Sequence, residues 1–363
     1  MTKNKVIGRP IQDLDTPALL LDLPLCKRNL ARMAKSFADR SAKLRPHFKN
    51  HKCSTLARMQ LDHGSAIGMT TAHIDEAEAL AAAGINDVLI ANQVIGLGKL
   101  HRLMEVANRT NLTLAVDDFD TAKTLSDFAK SARVTVGVLI EVDIGMQRCG
   151  VPPHQPALEL AKRVIGLPAI ELRGLQAYEG HTVFINDQAE RSAKATAALQ
   201  LATETRQLLK ENGINAPTIS GGCSANYQFP GVADAVTELQ PGTYATMDWR
   251  YQQMIPEFDI ALSLLATVIS CQNGRAVLDF GVKRIGAEFG YPRVKNLPEV
   301  EVPFFGSEEH CSLRNVPSDW TVGHTVEVYS SHACTTCNLH PTLYVHEDGR
   351  VVDVWAIDGR GGE

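Results

Sequence analysis

The chain has 363 residues, 44% hydrophobic and 21% charged, with 36 basic against 41 acidic side chains and a net charge of −5. That length suits one large domain plus a second, and an acidic balance without a basic face argues against nucleic acid as a partner. No apolar run approaches the roughly 20 residues of a membrane span. The opening Met1-Thr2-Lys3-Asn4-Lys5 has no apolar stretch behind it, so no secretory signal is expected. Eight cysteines without such a signal read as reduced thiols of a cytoplasmic protein with small-molecule partners.

Asp15 to Asp22 reads as a first strand, and Pro24 suits the helix start that follows. Leu30, Met33, Ala34 and Phe37 recur at helical spacing. An alternation then sets in, with short apolar runs at 43–49, 66–70, 87–92, 112–118, 135–143, 170–178, 217–222 and 233–239. Helical patterns lie between most of them, such as Ile74 to Ala82, a segment through Leu158, Ala161 and Ile165, and a long helix over 185–212 closed by Gly213. Eight strands separated mainly by helices predict a (β/α)8 TIM-type barrel over 25–250. A doubly wound sheet is the alternative, but no G-x-G-x-x-G follows the first strand. Gly96-Leu97-Gly98 has His101 where a third glycine would stand and reads as a helix-start turn.

After about residue 250 strand patterns dominate: Ala261 to Ser270, Ala276 to Phe280, Val300 to Phe305, Thr325 to Tyr329, Thr342 to His346 and Val351 to Ile357. Asn273-Gly274 and Asp348-Gly349 mark turns, the second closing a hairpin. A β-rich domain over 1–24 and 251–363 is therefore expected, with the N-terminal strand joining its sheet.

In such a barrel, functional residues stand where strands end. Lys49 is expected at the end of strand one, Thr70 and Thr71 at strand two, Asn92 at three, and Asp117 and Asp118 at four. Asp143 ends strand five, Tyr178-Glu179-Gly180-His181 strand six, Ser220-Gly221-Gly222 strand seven and Gln240-Pro241-Gly242-Thr243-Tyr244 strand eight. The run Arg45-Pro46-His47-Phe48-Lys49-Asn50-His51-Lys52 could by itself be an exposed basic loop. A strand-end lysine is also what a Schiff-base cofactor needs, and glycine loops on the last two strands are where barrels cradle phosphate. Lys52 is the rival amine, three residues further on. Near the C-terminus, His332-Ala333-Cys334 on an extended segment would aim imidazole and thiol to one face, a donor pair suited to zinc. The bland alternative is a pair of buried structural residues. Cys334 and Cys337 form one C-x-x-C, with no second to close a structural site. His63, His101, His154 and His324 stand singly and are given no task, and Cys26, Cys53 and Cys271 read as packing residues.

Taken together, Asp15-Thr16-Pro17-Ala18, Leu44 to Lys52, Glu141-Val142-Asp143, Arg148-Cys149-Gly150-Val151 and Leu175-Gln176-Ala177-Tyr178 resemble the fold-type III pyridoxal phosphate enzymes, whose barrel is shared with alanine racemase. With Ser220-Gly221-Gly222, Glu238 to Tyr244, Ser307-Glu308-Glu309-His310 and His332-Ala333-Cys334, the chain is similar to the metal-dependent D-threonine aldolase and D-serine dehydratase family. The resemblance implies that Lys49 holds pyridoxal 5'-phosphate as an internal aldimine. It implies Arg148 near the phenolic oxygen, Tyr178 near the pyridine nitrogen, and Ser220, Gly221, Gly222, Gly242, Thr243 and Tyr244 around the phosphate. It further implies a divalent metal on His332 and Cys334, and a homodimer.

Aldolases of the family often carry His-x-Asp at the metal, so His-x-Cys follows the dehydratase pattern, and a thiolate favours zinc over manganese or magnesium. Gln176-Ala177-Tyr178, Ser220-Gly221-Gly222, Met247-Asp248 and Cys337-Asn338-Leu339-His340 lean toward the aldolases, although Phe184 stands where those can carry histidine. The expected substrate is a D-β-hydroxy amino acid. Retro-aldol cleavage would use His51, His181 or metal-bound hydroxide as base, whereas dehydration would use Lys49 on the α-proton. A racemase, with Tyr329 as its second base, and a non-catalytic pyridoxal phosphate-binding protein are the more distant alternatives.

Overall fold

The computed structural model describes residues Lys5–Gly361, so most of the opening segment in which no secretory signal is expected lies outside the described residues. The chain folds as two compact units. One holds the chain up to Arg32, Asn50–Thr55 and Thr243–Arg360; the other holds Met33–Lys49, Leu56–Gly242 and Gly361.

In chain order the elements are β1 (Ala18–Asp22), α1 (Leu23–Phe37), β2 (Lys43–Leu44), α2 (Ser54–Asp62), β3 (Met69–Thr71), α3 (Ile74–Ala82), β4 (Asp87–Ile90) and α4 (Leu97–Ala107). Then come β5 (Asn111–Val116), α5 (Phe119–Ala132), β6 (Val136–Glu141), α6 (Gln155–Val164), β7 (Ile170–Ala177), α7 (Gln188–Glu211), β8 (Thr218–Gly221), α8 (Pro230–Ala235) and β9 (Glu238–Leu239). The chain closes with α9 (Trp249–Gln252), β10 (Leu262–Gln272), β11 (Arg275–Leu278), β12 (Arg293–Val294), β13 (Cys311–Arg314), β14 (Thr325–Tyr329), α10 (Ala333–Asn338), β15 (Thr342–Glu347) and β16 (Arg350–Ala356).

The larger unit is the TIM-like half of the expected architecture. Its sheet is parallel throughout, in the order β2-β9-β8-β7-β6-β5-β4-β3. Parallel bridges Leu44↔Ala66 and His47↔Thr70 join its two end strands. All six residues of β6 are buried, the continuous apolar run of a strand covered on both faces. Helix starts follow local chemistry: Asp118 accepts from the Thr121 N–H and Asp187 from the Glu190 N–H, so two orphan donors are capped. Two expected strands shrink. The run 43–49 yields only Lys43–Leu44, because Pro46 has no N–H to give the ladder. The run 233–239 yields only Glu238–Leu239, because Pro230 starts a helix that holds Ala233–Ala235.

The smaller unit is β-rich, with sheet order β12-β14-β10-β1-β15-β16 and β11 and β13 extending it from β10. The N-terminal strand lies inside this sheet, antiparallel to β10 and parallel to β15. Along β10, Leu264, Ala266 and Val268 enter one apolar cluster with Leu278, Phe280 and Trp320. Leu265, one residue out of step, enters another with Val6, Ile11, Leu20 and Val351. That is the period-two alternation of a strand buried on both sides. Val300 to Phe305 is not a strand: only Glu301 bridges, to Arg314, since Pro298 and Pro303 interrupt the donors. Asn50–Thr55, expected with the barrel, bonds within the smaller unit: Gly359 N–H donates to Lys52 O and the Ser54 N–H to Asp358. Among the described residues no helix is long and apolar enough to cross a membrane.

Candidate active site

Lys49 does not end a strand. It lies in a 3-10 turn, Phe48–Asn50, beyond the last ladder residue Leu44. Backbone bonds from Arg45 N to Leu239 O and from His47 N to Pro241 O still carry the chain along β9. Phe48 and Asn50 are buried on either side of Lys49, which leaves the amine exposed on a fixed turn. Lys52 is less suited, since its Nζ donates to Asn338 at 2.8 Å.

The loops after β5, β6 and β7 are tied together. The Gly150 N–H donates to Asp117, and Asp143 accepts from the Gly145 and Gln147 N–H groups. The Arg148 guanidinium lies 5.7 Å from the Tyr178 ring centroid, so the two residues expected around one cofactor ring are brought together. His181 is exposed in the turn Gly180–Thr182, with its ring against Gly145. His51 is fully buried, and its Nδ1 accepts from the Cys53 N–H. At the end of β6, burial pushes the Glu141 carboxyl above its ordinary value, although the Gln93 amide donates to it and opposes the rise.

The glycines after β8 have their own packing reason. A Cβ on Gly221 would stand 1.8 Å from Ala177 O, and one on Gly222, at φ +74°, would stand 2.1 Å from Leu239 Cδ1. The Gly222 N–H donates to Glu179 Oε2 at 3.1 Å, and the Ser220 hydroxyl accepts from Gln240 at 2.7 Å. Two short 3-10 turns, Ser224–Asn226 and Thr243–Ala245, follow the last two barrel strands. No side chain caps the N-terminus of the first. Thr243 and Tyr244 are buried, with Tyr244 edge-on to Phe258.

His332 and Cys334 are not on a strand. His332 is the extended N-cap residue of α10 and Cys334 is in its first turn. The two side chains still meet, close enough to hydrogen-bond. A frame surrounds them. Asn50 Nδ2 donates to Cys334 Sγ at 3.6 Å, and Asp248 accepts from the Ala333 N–H at 3.0 Å. His332 Nδ1 lies 3.1 Å from Thr335 Oγ1 and 3.4 Å from Glu288 Oε2, and Phe289 packs on the imidazole with centroids 4.6 Å apart. Burial draws the His332 pKa down, but Cys334, Glu288 and Asp248 hold it above the ordinary histidine value. Burial pushes Asp248 up to about 6.

Over residues 21–248 the sequence matches the family described as alanine racemase, N-terminal domain, and over 261–346 the putative serine dehydratase domain. It is 36% identical to D-threonine aldolase of Arthrobacter sp, over 98% of this chain and 95% of that protein. The chain belongs to the D-threonine aldolase and D-serine dehydratase family of fold-type III pyridoxal phosphate enzymes. The crystal structure of D-threonine aldolase from Filomicrobium marinum superposes on this family member with a TM-score of 0.93 at 35% identity, covering 98% of each chain. D-threo-3-hydroxyaspartate dehydratase of Delftia sp. (strain HT23) is 28% identical over 94% of this chain and 97% of its own.

In this family member the barrel residues fit pyridoxal phosphate: an exposed amine between two buried neighbours, a guanidinium beside a tyrosine ring, and glycines after β8 whose surroundings leave no room for a Cβ. The imidazole of His332 and the thiol of Cys334 are donor types that suit a divalent cation, with the Asn50 amide on the sulfur and Glu288 beside the imidazole. Among the described residues no group of three or more His, Cys, Asp or Glu stands ready to enclose an ion. Asn226 and Glu288 escape the sequence reading, whereas Glu179, Asn50 and Asp248 stand inside motifs quoted from the sequence but receive no role there. Asn50 and Glu179 each adjoin an expected site residue, and that adjacency was the available signal.

Proposed function

We propose that this chain is a pyridoxal phosphate- and divalent-metal-dependent lyase that cleaves D-threonine-type D-β-hydroxy amino acids to glycine and an aldehyde. One connection carries the reading. Asn50, whose amide donates to the Cys334 sulfur, directly follows Lys49 in the chain. The amine for the cofactor and the residue steadying the metal thiolate are therefore consecutive. Likeness over nearly the whole length to a protein named D-threonine aldolase supports the carbon–carbon lyase.

When bound, pyridoxal phosphate supplies an electron sink for the bond broken at the substrate α-carbon. A divalent cation on His332 and Cys334 supplies a Lewis acid for the β-hydroxyl, with zinc favoured by the thiolate over manganese or magnesium. Lys49 would hold the cofactor through its amine. Arg148 and Tyr178 would hold the ring, and Ser220, Gly221, Gly222, Gly242, Thr243 and Tyr244 the phosphate. Of the two histidines considered as base, His51 accepts at Nδ1 and so carries its proton on Nε2 as a donor. The exposed His181 is the better proton acceptor.

The dehydratase reading stands second, on the His332-Ala333-Cys334 pattern and the Delftia relative. Racemization fares worse, because burial and Glu327 push the Tyr329 phenol up to about 12, away from base duty at neutral pH. The same reading makes the enzyme a cytoplasmic homodimer; all eight cysteines are free thiols, as a reducing compartment keeps them.

Incubation with D-threonine should release glycine and acetaldehyde, and chelation should stop it. Appearance of 2-oxobutyrate alone would sink the aldolase in favour of the dehydratase. Borohydride should fix the cofactor onto the Lys49 peptide in the parent and leave a Lys49→Ala protein unlabelled.

A further inference from the structure

The pair proposed to hold the metal stands at a helix start that its own side chain does not cap. His332 occupies the N-cap position of α10, with φ −143° and ψ 101°, and makes no side-chain cap bond. That position favours Ser, Thr, Asp or Asn, whose oxygen takes an N–H of the first turn. An imidazole there leaves orphan donors behind. One of them, the Ala333 N–H, is taken by Asp248, 85 residues away in the chain, whose Oδ2 accepts it at 3.0 Å. Asp248 is itself the N-cap of α9, where its Oδ1 accepts the Tyr251 N–H at 2.8 Å. In return the first N–H of α9, that of Trp249, donates to the Ser330 carbonyl at 3.2 Å, just before His332. Two helix starts are joined by a carboxylate in one direction and a backbone bond in the other. Asp248 is 1% exposed, so water does not compete for these donors. All of these residues belong to the smaller unit.

Burying a carboxylate is costly unless its oxygens are satisfied, and Asp248 gives both of them to backbone donors. Ala333 lies between His332 and Cys334, so holding its N–H fixes the peptide plane from which both side chains depart. The imidazole, relieved of capping, faces Cys334, Thr335 and Glu288 instead. Partners behind the ligands of a metal commonly set their orientation. We infer that Asp248 is a positioning residue for the metal pair, an inference that rests on the metal reading above. By capping α10 from outside, it leaves His332 free to act as a ligand and holds it in register with Cys334.

The test measures metal retention rather than turnover. Full-length protein loaded with zinc is titrated against a chromophoric chelator. Loading with cobalt(II) adds a thiolate charge-transfer band that reports the Cys334 sulfur on the metal. Asp248→Asn keeps the shape but turns an amide NH2 toward one of the two N–H donors. Ala333→Pro removes the accepted N–H at the first helical position, where proline is tolerated, and leaves Asp248 in place. Each variant should hold zinc about tenfold or more weakly, with a weaker thiolate band per bound cobalt. The double variant should be no worse than Asp248→Asn alone, because both changes cut the same bond. Affinity for pyridoxal phosphate, read by absorbance titration, should match the parent. Unchanged zinc retention in either single variant, losses that add in the double variant, or an equal loss of pyridoxal phosphate affinity would each overturn the inference. If Asp248→Asn fails to fold, Ala333→Pro decides by zinc retention and band intensity. A parent that binds neither metal sinks the metal reading itself, a result distinct from equal retention in parent and variant.

Discussion

Asn50 uses both ends of its amide. Its carbonyl oxygen accepts from the Thr246 hydroxyl at 2.8 Å while its NH2 donates to the Cys334 sulfur at 3.6 Å. The Thr246 bond orients the amide, so a donor and not an acceptor faces the thiol. A donor on sulfur favours the thiolate, the form that binds metal. Asn50→Ala should therefore weaken zinc retention by about tenfold or more. Competition with a chromophoric chelator measures this without reference to turnover. Retention equal to the parent would mean that the Asn50 amide does not steady a metal-binding thiolate.

At the scale of an element, the segment after β2 depends on Arg45. Its side chain is buried and pairs with Glu238 at 2.9 Å, at the start of β9, and with Asp87 at the start of β4. Burial alone would lower its pKa, but the two carboxylates hold it above the ordinary arginine value. Pro46 removes one ladder donor here, so the side chain anchors a stretch the backbone holds only intermittently. Arg45→Ala would leave Glu238, itself 5% exposed, without its cation. The expected cost is about 3–5 kcal/mol, the usual result of breaking a buried pair from one side. Urea unfolding measures it, and replacing Glu238 as well should recover part of the loss. A change within about 0.5 kcal/mol would contradict the anchoring role.

Across the whole molecule, stability should depend on pH through carboxyls such as Glu141, which burial raises despite the Gln93 hydrogen bond. A carboxyl raised in the folded state binds its proton more tightly there. The stability this adds is complete below the unfolded value of about 4.3 and is lost as pH rises through the folded value. Glu141→Gln removes that dependence. Compared with the parent, the variant should gain stability as pH is raised from the acid side toward neutrality, read as the difference in urea midpoints. A difference that stays flat with pH would show that Glu141 titrates normally.

The alternation of apolar runs and helical spacing was enough to place the barrel, because parallel strands buried on both faces are apolar along their length. It also placed β1 with the C-terminal sheet, and the order of short motifs led to the family. Pairings between distant residues were beyond it. No local signal tells that Asn50 meets Cys334, that Glu179 holds Gly222, or that Arg45 meets Glu238, since these bonds join residues 284, 43 and 193 positions apart. Strand limits failed where proline withheld a donor, at Pro46 and around Val300 to Phe305, so Lys49 came to rest in a turn. His332 and Cys334 were legible as a donor pair, but their meeting across a helix start was decided by tertiary structure. Residue type and spacing determined which chemistry this protein can hold; packing between remote segments decided which groups orient it.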